Sequence, residues 1–371
     1  MKTHMDSRPE TSTMKGGMTL DALMLSYSDT RRLVDMVGMD VVMRTCIDRL
    51  RSGLSEVASE RWRGCPPRNG FVHDHRVGGG VIENMPYLEV NRGMTLKTIS
   101  YKPNNNADHR LPTVVGAICR YSDFSGELLA ICDATVPTAI RTGAATAVAS
   151  SILARPDSQT AAIVGAGLQA VTQIHALSVA FPLDRIQVYD IDRKCAESLQ
   201  DRCDFTSAQF EVFDDPHEVV EGADILVTAT SVRPGAGPVV RDEGLAAHLH
   251  INSIGSDEPG KTELPLSVLN RAYICVDQME QALNEGECQV LDRAEIDVTL
   301  QDLVGIASST GRPLPQVHDL TVFDSTGFAF EDHVALDVFL DFAAEAGIGD
   351  KFSILDGPVE LHSPYSTSAT K

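Results

Sequence analysis

The chain is poor in aromatic residues, at 5% with a single tryptophan, and it contains no CxxC pair. Its eight cysteines (Cys46, Cys65, Cys119, Cys132, Cys195, Cys203, Cys275 and Cys288) are scattered. Disulfide scaffolds and zinc ribbons repeat cysteines at short fixed spacings, so free thiols in a reducing compartment fit better than either. No Lys/Arg-rich block offsets the net charge of −21. That argues against nucleic acid and anionic membrane as partners. No apolar run is long enough to span a bilayer, and the first residues lack the apolar core of a signal peptide. The expectation is a soluble, cytoplasmic protein. His73-Asp74-His75 hints at a metal, but ligands at i and i+2 need a third from elsewhere and nothing marks one. No metal is expected.

A length of 371 residues points to two domains, and 43% hydrophobic residues suffice for ordinary cores. Residues 1–20 and 363–371 read as disordered tails. Apolar spacing predicts a helix over 27–54. Residues 64–80, rich in Gly, Pro, His and Asp, read as loops, with Gly78-Gly79-Gly80 a turn. Short β-like runs follow at 81–82, 96–101, 114–119 and 128–132, giving a mixed α+β region. The pattern changes near Pro137. An Ala-rich helix is predicted over 139–153. Strands are predicted at 160–164, 185–189, 225–228, 250–254, 273–276 and 321–323, with helices over 170–180 and 196–201. Such alternation implies a doubly wound parallel sheet. A final helix over 334–345 is expected to return to the first region.

The sharpest local signal is TAAIVGAGLQA at 160–170. A buried strand runs into GxGxxA and then a helix. Gly165 permits the tight turn, Gly167 lets a pyrophosphate approach the backbone, and Ala170 allows close helix–strand packing. The helix start presents unpaired N–H groups to phosphate. The next strand ends at Asp190, about twenty residues on, where a carboxylate accepts from ribose hydroxyls and disfavours a 2′-phosphate. Arg193 and Lys194 nearby read as a solvated turn. NAD is therefore expected over NADP. A second motif, GSDEPGKT at 255–262, matches the P-loop spacing GxxxxGK[ST]. It is rejected as a phosphate cradle, because Asp257 and Glu258 repel phosphate and Pro259 removes an N–H donor.

Lys97 and Arg141 are cations in otherwise apolar segments, which is costly without a partner. A substrate carboxylate would serve, since Arg can hold it bidentately. A structural salt bridge would serve equally, and spacing does not decide. Glu83 has the same ambiguity.

Taken together, these segments resemble the ornithine cyclodeaminase/μ-crystallin family over residues 25–345. The resemblance rests on VIENMP at 81–86, Lys97, TAIRTGAA at 138–145, GAGLQ at 165–169, GSDEPGKTEL at 255–264, and FDSTG at 323–327 followed by Glu331-Asp332. It implies a Rossmann-type doubly wound sheet (143–327) inserted into a mixed α+β substrate-binding and dimerisation domain (21–142 plus 328–371), in a homodimer. It implies that Lys97 and Arg141, with Arg68, bind a substrate α-carboxylate. Asp257 would handle the α-amine and Glu83 the terminal amine of a diamino acid. Thr142, Gly165, Gly167, Leu168, Gln169, Asp190, Thr230, Ser231 and Asp324 would hold NAD. The implied catalytic set is Asp257, Glu83 and Lys97. The implied reaction oxidises Cα to an α-imine, closes a ring through the terminal amine, expels ammonia and re-reduces the cyclic imine. KTISY at 97–101, QAVTQIHA at 169–176 and EGECQVL at 285–291 look closest to members acting on lysine, giving pipecolate, with ornithine to proline next. Ketimine reduction, amino-acid dehydrogenation and a non-catalytic μ-crystallin-like binding role are the alternatives within the same resemblance.

Overall fold

The computed structural model describes residues 21–57, 65–73, 79–308 and 319–354. The two tails of the sequence reading, together with Asp74, His75 and Gly78, lie outside these residues.

Two sheets organise the chain. The first has seven strands in the order β15-β1-β6-β5-β4-β3-β2. These are β1 (Asp21–Leu25), β2 (Asn69–Val72), β3 (Val81–Glu89), β4 (Gly93–Tyr101), β5 (Val114–Tyr121), β6 (Leu128–Asp133) and β15 (Asp350–Ser353). All pairings are antiparallel except β1 with β6. Helices α1 (Tyr27–Val37), α2 (Met39–Val57), α4 (Thr135–Leu153) and α11 (Ala329–Ala346) build the adjoining core. The predicted helix over 27–54 is two helices, because Gly38 takes φ 94° and ends α1. A left-handed residue cannot continue a right-handed helix. Ser26 and Asp29 cap α1 reciprocally, each side chain accepting the other's backbone N–H at 3.2 and 2.9 Å. In α2, Val42, Met43, Cys46, Ile47, Leu50 and Leu54 recur at helical spacing and are all buried.

The second sheet has eight strands in the order β13-β12-β14-β11-β10-β7-β8-β9, and every pairing is parallel. Its strands are β7 (Thr160–Val164), β8 (Arg185–Tyr189), β9 (Gln209–Val212), β10 (Ile225–Thr228), β11 (His250–Ser253), β12 (Tyr273–Val276), β13 (Val298–Thr299) and β14 (Thr321–Asp324). Both faces are covered by apolar clusters, so β7, β10, β11 and β14 are buried at every residue. This is the doubly wound sheet expected from the alternation. The short strands β1, β2, β9, β13 and β15 carry too few residues for a period to show.

Helix α4 joins the two layers. It packs on α2 and α11 on one side and on α5 (Leu168–Ala180) on the other. Its small residues allow this. A Cβ on Gly143 would lie 2.5 Å from the Thr172 carbonyl. Among the described residues no helix is long and apolar enough to cross a membrane.

Candidate active site

Strand β7 enters Gly165, whose φ is +99° and whose added Cβ would meet the Ala229 carbonyl at 2.5 Å. Only glycine fits there. Gly167 then caps α5 without any side-chain bond, and the space around its missing Cβ is open. The first N–H groups of α5 therefore face a cleft that a phosphate can enter. The cleft lies where the strand order reverses between β7 and β10, and it holds about 860 Å³. Leu168, Gln169, Asp190, Thr230 and Ser231 line it. So do Thr138, whose hydroxyl is buried without a partner among the described residues, and Asp257. The Asp190 carboxylate accepts from the Ala166 and Asp192 N–H groups at 2.7 and 2.8 Å, bracing the glycine turn. Its oxygens keep lone pairs for further donors. An unpaired hydroxyl, free amides, an open glycine and an acid at the second strand suit a dinucleotide.

Two residues expected at the nucleotide are not among those lining the cleft. Thr142 is one helical turn deeper, and its hydroxyl bonds back to the Thr138 carbonyl at 2.8 Å. Thr138, on the same face one turn nearer the start of α4, lines the cleft instead. Asp324 ends β14 but is wholly buried, accepting from the Cys288 N–H at 3.0 Å. The turn at 286–290 covers it, with Gly286 so close that a Cβ would lie 2.4 Å from its carboxylate.

Beside the cleft sits a closed ionic cluster. Lys97 Nζ lies 2.8 Å from Asp332, and Arg141 bonds Glu331 at 2.7 Å and Asp332 at 3.1 Å. All four side chains are buried. Of the two kinds of partner that the sequence leaves open for Lys97 and Arg141, the structure supplies the salt bridge. Glu331 and Asp332 neutralise them, because α11 begins at Ala329 rather than near residue 334. A guanidinium carries five N–H groups, so two ionic bonds do not exhaust Arg141. Arg68 donates to Glu285, to Glu83 at 3.2 Å and to the Thr326 carbonyl at 2.8 Å. Asp277 accepts from the Gly327 N–H at 2.6 Å and from Ser325 and Thr326, fixing the turn that presses on Arg141. Asp257 pairs instead with Lys261 at 2.8 Å, on the cleft side.

Burial dominates the electrostatics. It pushes Glu331 up to about 8, against the pull of Arg141, and Glu285 up to about 7, against Arg68. Glu287 rises to about 8 and Asp324 to about 7 for the same first reason. Burial also drives Lys97 down to about 8, outweighing Asp332. The four acids keep protons in the folded state that the unfolded chain releases above its ordinary carboxylate range. Their stabilisation is full at low pH and is lost as pH rises through 7 to 8. Lys97 acts in the other direction only above about 8. The ligand-free protein is therefore expected to melt at a higher temperature at about pH 6 than at about pH 8. A melting temperature that rises over that interval would show these acids ionised in the fold.

Sequence reasoning gave no role to Glu285, Glu331, Asp332, Asp277, Tyr101 or Lys261. A signal existed for two of them. Glu331 and Asp332 follow Gly327 just before an amphipathic run, which is where acids favour a helix start. For Asp277 and Tyr101 nothing local distinguishes them from ordinary strand-end residues.

Fold and cleft define the class: a Rossmann-type dinucleotide protein whose cleft adjoins a buried set of acids and cations. The chain belongs to the ornithine cyclodeaminase/mu-crystallin family, whose model matches residues 29–347. It is 47% identical over 342 residues to an L-lysine cyclodeaminase of Streptomyces rapamycinicus, covering 92% of this chain and 98% of that one. A solved lysine cyclodeaminase structure, concerned with recognition of L-lysine, L-ornithine and L-2,4-diaminobutyric acid, superposes with a TM-score of 0.88. It is 45% identical, and the match covers 93% of this chain and 99% of that one. An archaeal alanine dehydrogenase dimer with bound NAD gives a TM-score of 0.79 at 29% identity, over 90% of this chain and all of that one.

Proposed function

We propose that the chain is an NAD-dependent cyclodeaminase that converts L-lysine to L-pipecolate, with L-ornithine to L-proline as the neighbouring reaction, and releases ammonia. The observation that carries this reading is Asp257 on the wall of the dinucleotide cleft, with a second carboxylate, Glu83, held by Arg68 in the adjoining cluster. A diamino acid needs one acid for each amine. Resemblance to the lysine cyclodeaminases supports the choice of substrate. Lysine and ornithine differ by one methylene, worth about 1–3 kcal/mol in a pocket.

Bound NAD supplies a reversible hydride acceptor for Cα. The protein's own groups do the rest. Arg141, Lys97 and Arg68 would hold the α-carboxylate and so fix the orientation of Cα–H. Asp257 takes a proton from the α-ammonium, since hydride loss from Cα requires a neutral amine. Glu83 accepts a proton from the terminal amine as it attacks. Asp190 would accept from the ribose hydroxyls of NAD, and Gly165, Gly167, Leu168, Gln169, Thr230 and Ser231 would line the rest of its site. Asp190→Ser is expected to erase the preference for NAD over NADP, measured by titrating both. An unchanged preference would remove Asp190 from the ribose.

The division into a Rossmann unit at 143–327 and a substrate unit from the remainder is part of this reading. So is a homodimer, for which edge strand β2 supports the case by exposing Phe71 and Val72. The eight cysteines are all unpaired, which suits a cytoplasmic setting.

The deciding experiment uses lysine carrying ¹⁵N on the α-nitrogen only, with catalytic rather than stoichiometric NAD. The label should leave as ammonia and the ring should be unlabelled. A labelled ring would mean that the terminal nitrogen departs and would overturn the roles given to Asp257 and Glu83, and a need for one NAD per turnover overturns cyclodeamination.

A further inference from the structure

The loop from Gly255 to Thr262 failed as a P-loop, which left its lysine without a purpose. In the fold, Lys261 lies on the cleft wall with its side chain only 2% exposed. Its ammonium is 2.8 Å from Asp257 Oδ1 and 5.1 Å from the centre of the Tyr101 ring. The backbone around it is clamped. The Lys261 carbonyl accepts from Ser256 Oγ at 2.5 Å and from Gln289 Nε2 at 2.9 Å. The Gly260 N–H donates to Gln289 Oε1 at 2.6 Å. Farther along, Glu263 accepts from the Thr230 and Gly255 N–H groups at 2.7 and 2.8 Å, closing the loop on both walls of the cleft. The stem of Lys261 is thus delivered from a fixed base to a fixed carboxylate.

We propose that Lys261 is a positioning residue, whose buried ammonium fixes the Asp257 carboxylate in place on the cleft wall. The proposal rests on the reading that Asp257 takes the α-ammonium proton. A buried ammonium needs an anion beside it. Burial opposes the charge on Lys261, and Asp257, Tyr101 and the hydrogen bond outweigh it, so the lysine stays a cation. In return, a cation within about 4 Å favours the carboxylate form of its partner. Other charged groups bear on the pair: Glu258 and Glu263 from the same loop, Tyr101 from β4, Arg68 from the segment before β2, and Glu285 from α9 (Met279–Glu285). Arg68 already bonds Glu83 and Glu285. Lys261 is the cation in direct contact with Asp257 among the described residues.

Two measurements test this. The first is the pH profile of kcat/KM for lysine. Lys261→Met should move the acid limb up by about one pH unit or more, so that activity lost near neutrality returns as pH is raised. Lys261→Arg should restore the original limb. A loss equal at every pH, or a raised KM with the limb unmoved, overturns the proposal by making Lys261 structural or a direct substrate contact. The second needs no turnover and reads melting temperatures of the ligand-free protein. Asp257→Asn should lower the melting temperature by stranding the ammonium, and adding Lys261→Met should recover it. Losses that simply add would show the two side chains uncoupled and overturn the pairing. If the unaltered protein releases no ammonia from lysine, the proposed function fails, while the melting cycle still reads the pair.

Discussion

Asp257→Asn is expected to silence turnover of lysine, with a loss of about 10²–10⁴-fold or more in kcat. The argument is chemical. At neutral pH the α-amine arrives protonated, and an ammonium cannot support the departure of hydride from its carbon. Asp257 is one-third exposed on the cleft wall, bonded to Lys261, and so is placed to accept that proton. Asparagine keeps the shape and loses the base. In a single-turnover mixture of the variant with NAD and lysine, the nicotinamide absorbance should stay unchanged and no ammonia should form. The affinity for NAD should survive, because Gly165, Gly167 and Asp190 are untouched. A variant that still altered the nicotinamide absorbance at the normal rate would show that another group takes the proton.

Arg141→Met should damage both stability and activity. The salt bridge that the sequence left open is present, because Arg141 bonds the buried carboxylates of Glu331 and Asp332 at 2.7 and 3.1 Å. Above about pH 8, where Glu331 is ionised, removing Arg141 leaves a buried carboxylate uncompensated and costs about 3–5 kcal/mol, whereas near pH 6 the acid holds its proton and the cost is smaller. Turnover should fall by on the order of 10²-fold or more in kcat/KM through loss of the carboxylate anchor. The double variant Arg141→Met with Glu331→Gln separates the two effects. It should regain much of the melting temperature, since the stranded acid is gone, and none of the activity. Recovery of both would make Arg141 a purely structural residue. Full stability in the single variant above about pH 8 would show that the pair of Arg141 with Glu331 contributes nothing to the fold.

The dinucleotide turn was legible because every element of it is local. A buried strand, a glycine at positive φ, a second glycine with open space and an uncapped helix start all lie within eleven consecutive residues, 160–170. The parallel sheet was legible too, since strands buried on both faces read as short apolar runs between helices. Thr142 shows the limit of that reading. It stands in the right helix, yet a step of one turn decides whether a hydroxyl faces the cleft or its own backbone. Asp324 shows another, because a turn arriving from residues 286–290 buries a strand end that would otherwise open onto the cleft.

By itself the sequence determined the strand–helix alternation, the phosphate turn and the residue types available for amine chemistry. These depend on backbone dihedrals and on periods of two and 3.6 residues, which neighbouring side chains set. Only the tertiary structure decided who pairs with whom. Lys97 meets Asp332 across 235 positions, Arg141 meets Glu331 across 190, and Arg68 meets Glu285 across 217. Desolvation then sets the charge each group can carry, and it depends on atoms brought close by the whole fold. A local pattern records how a segment bends. It holds no record of which distant charge will share its burial.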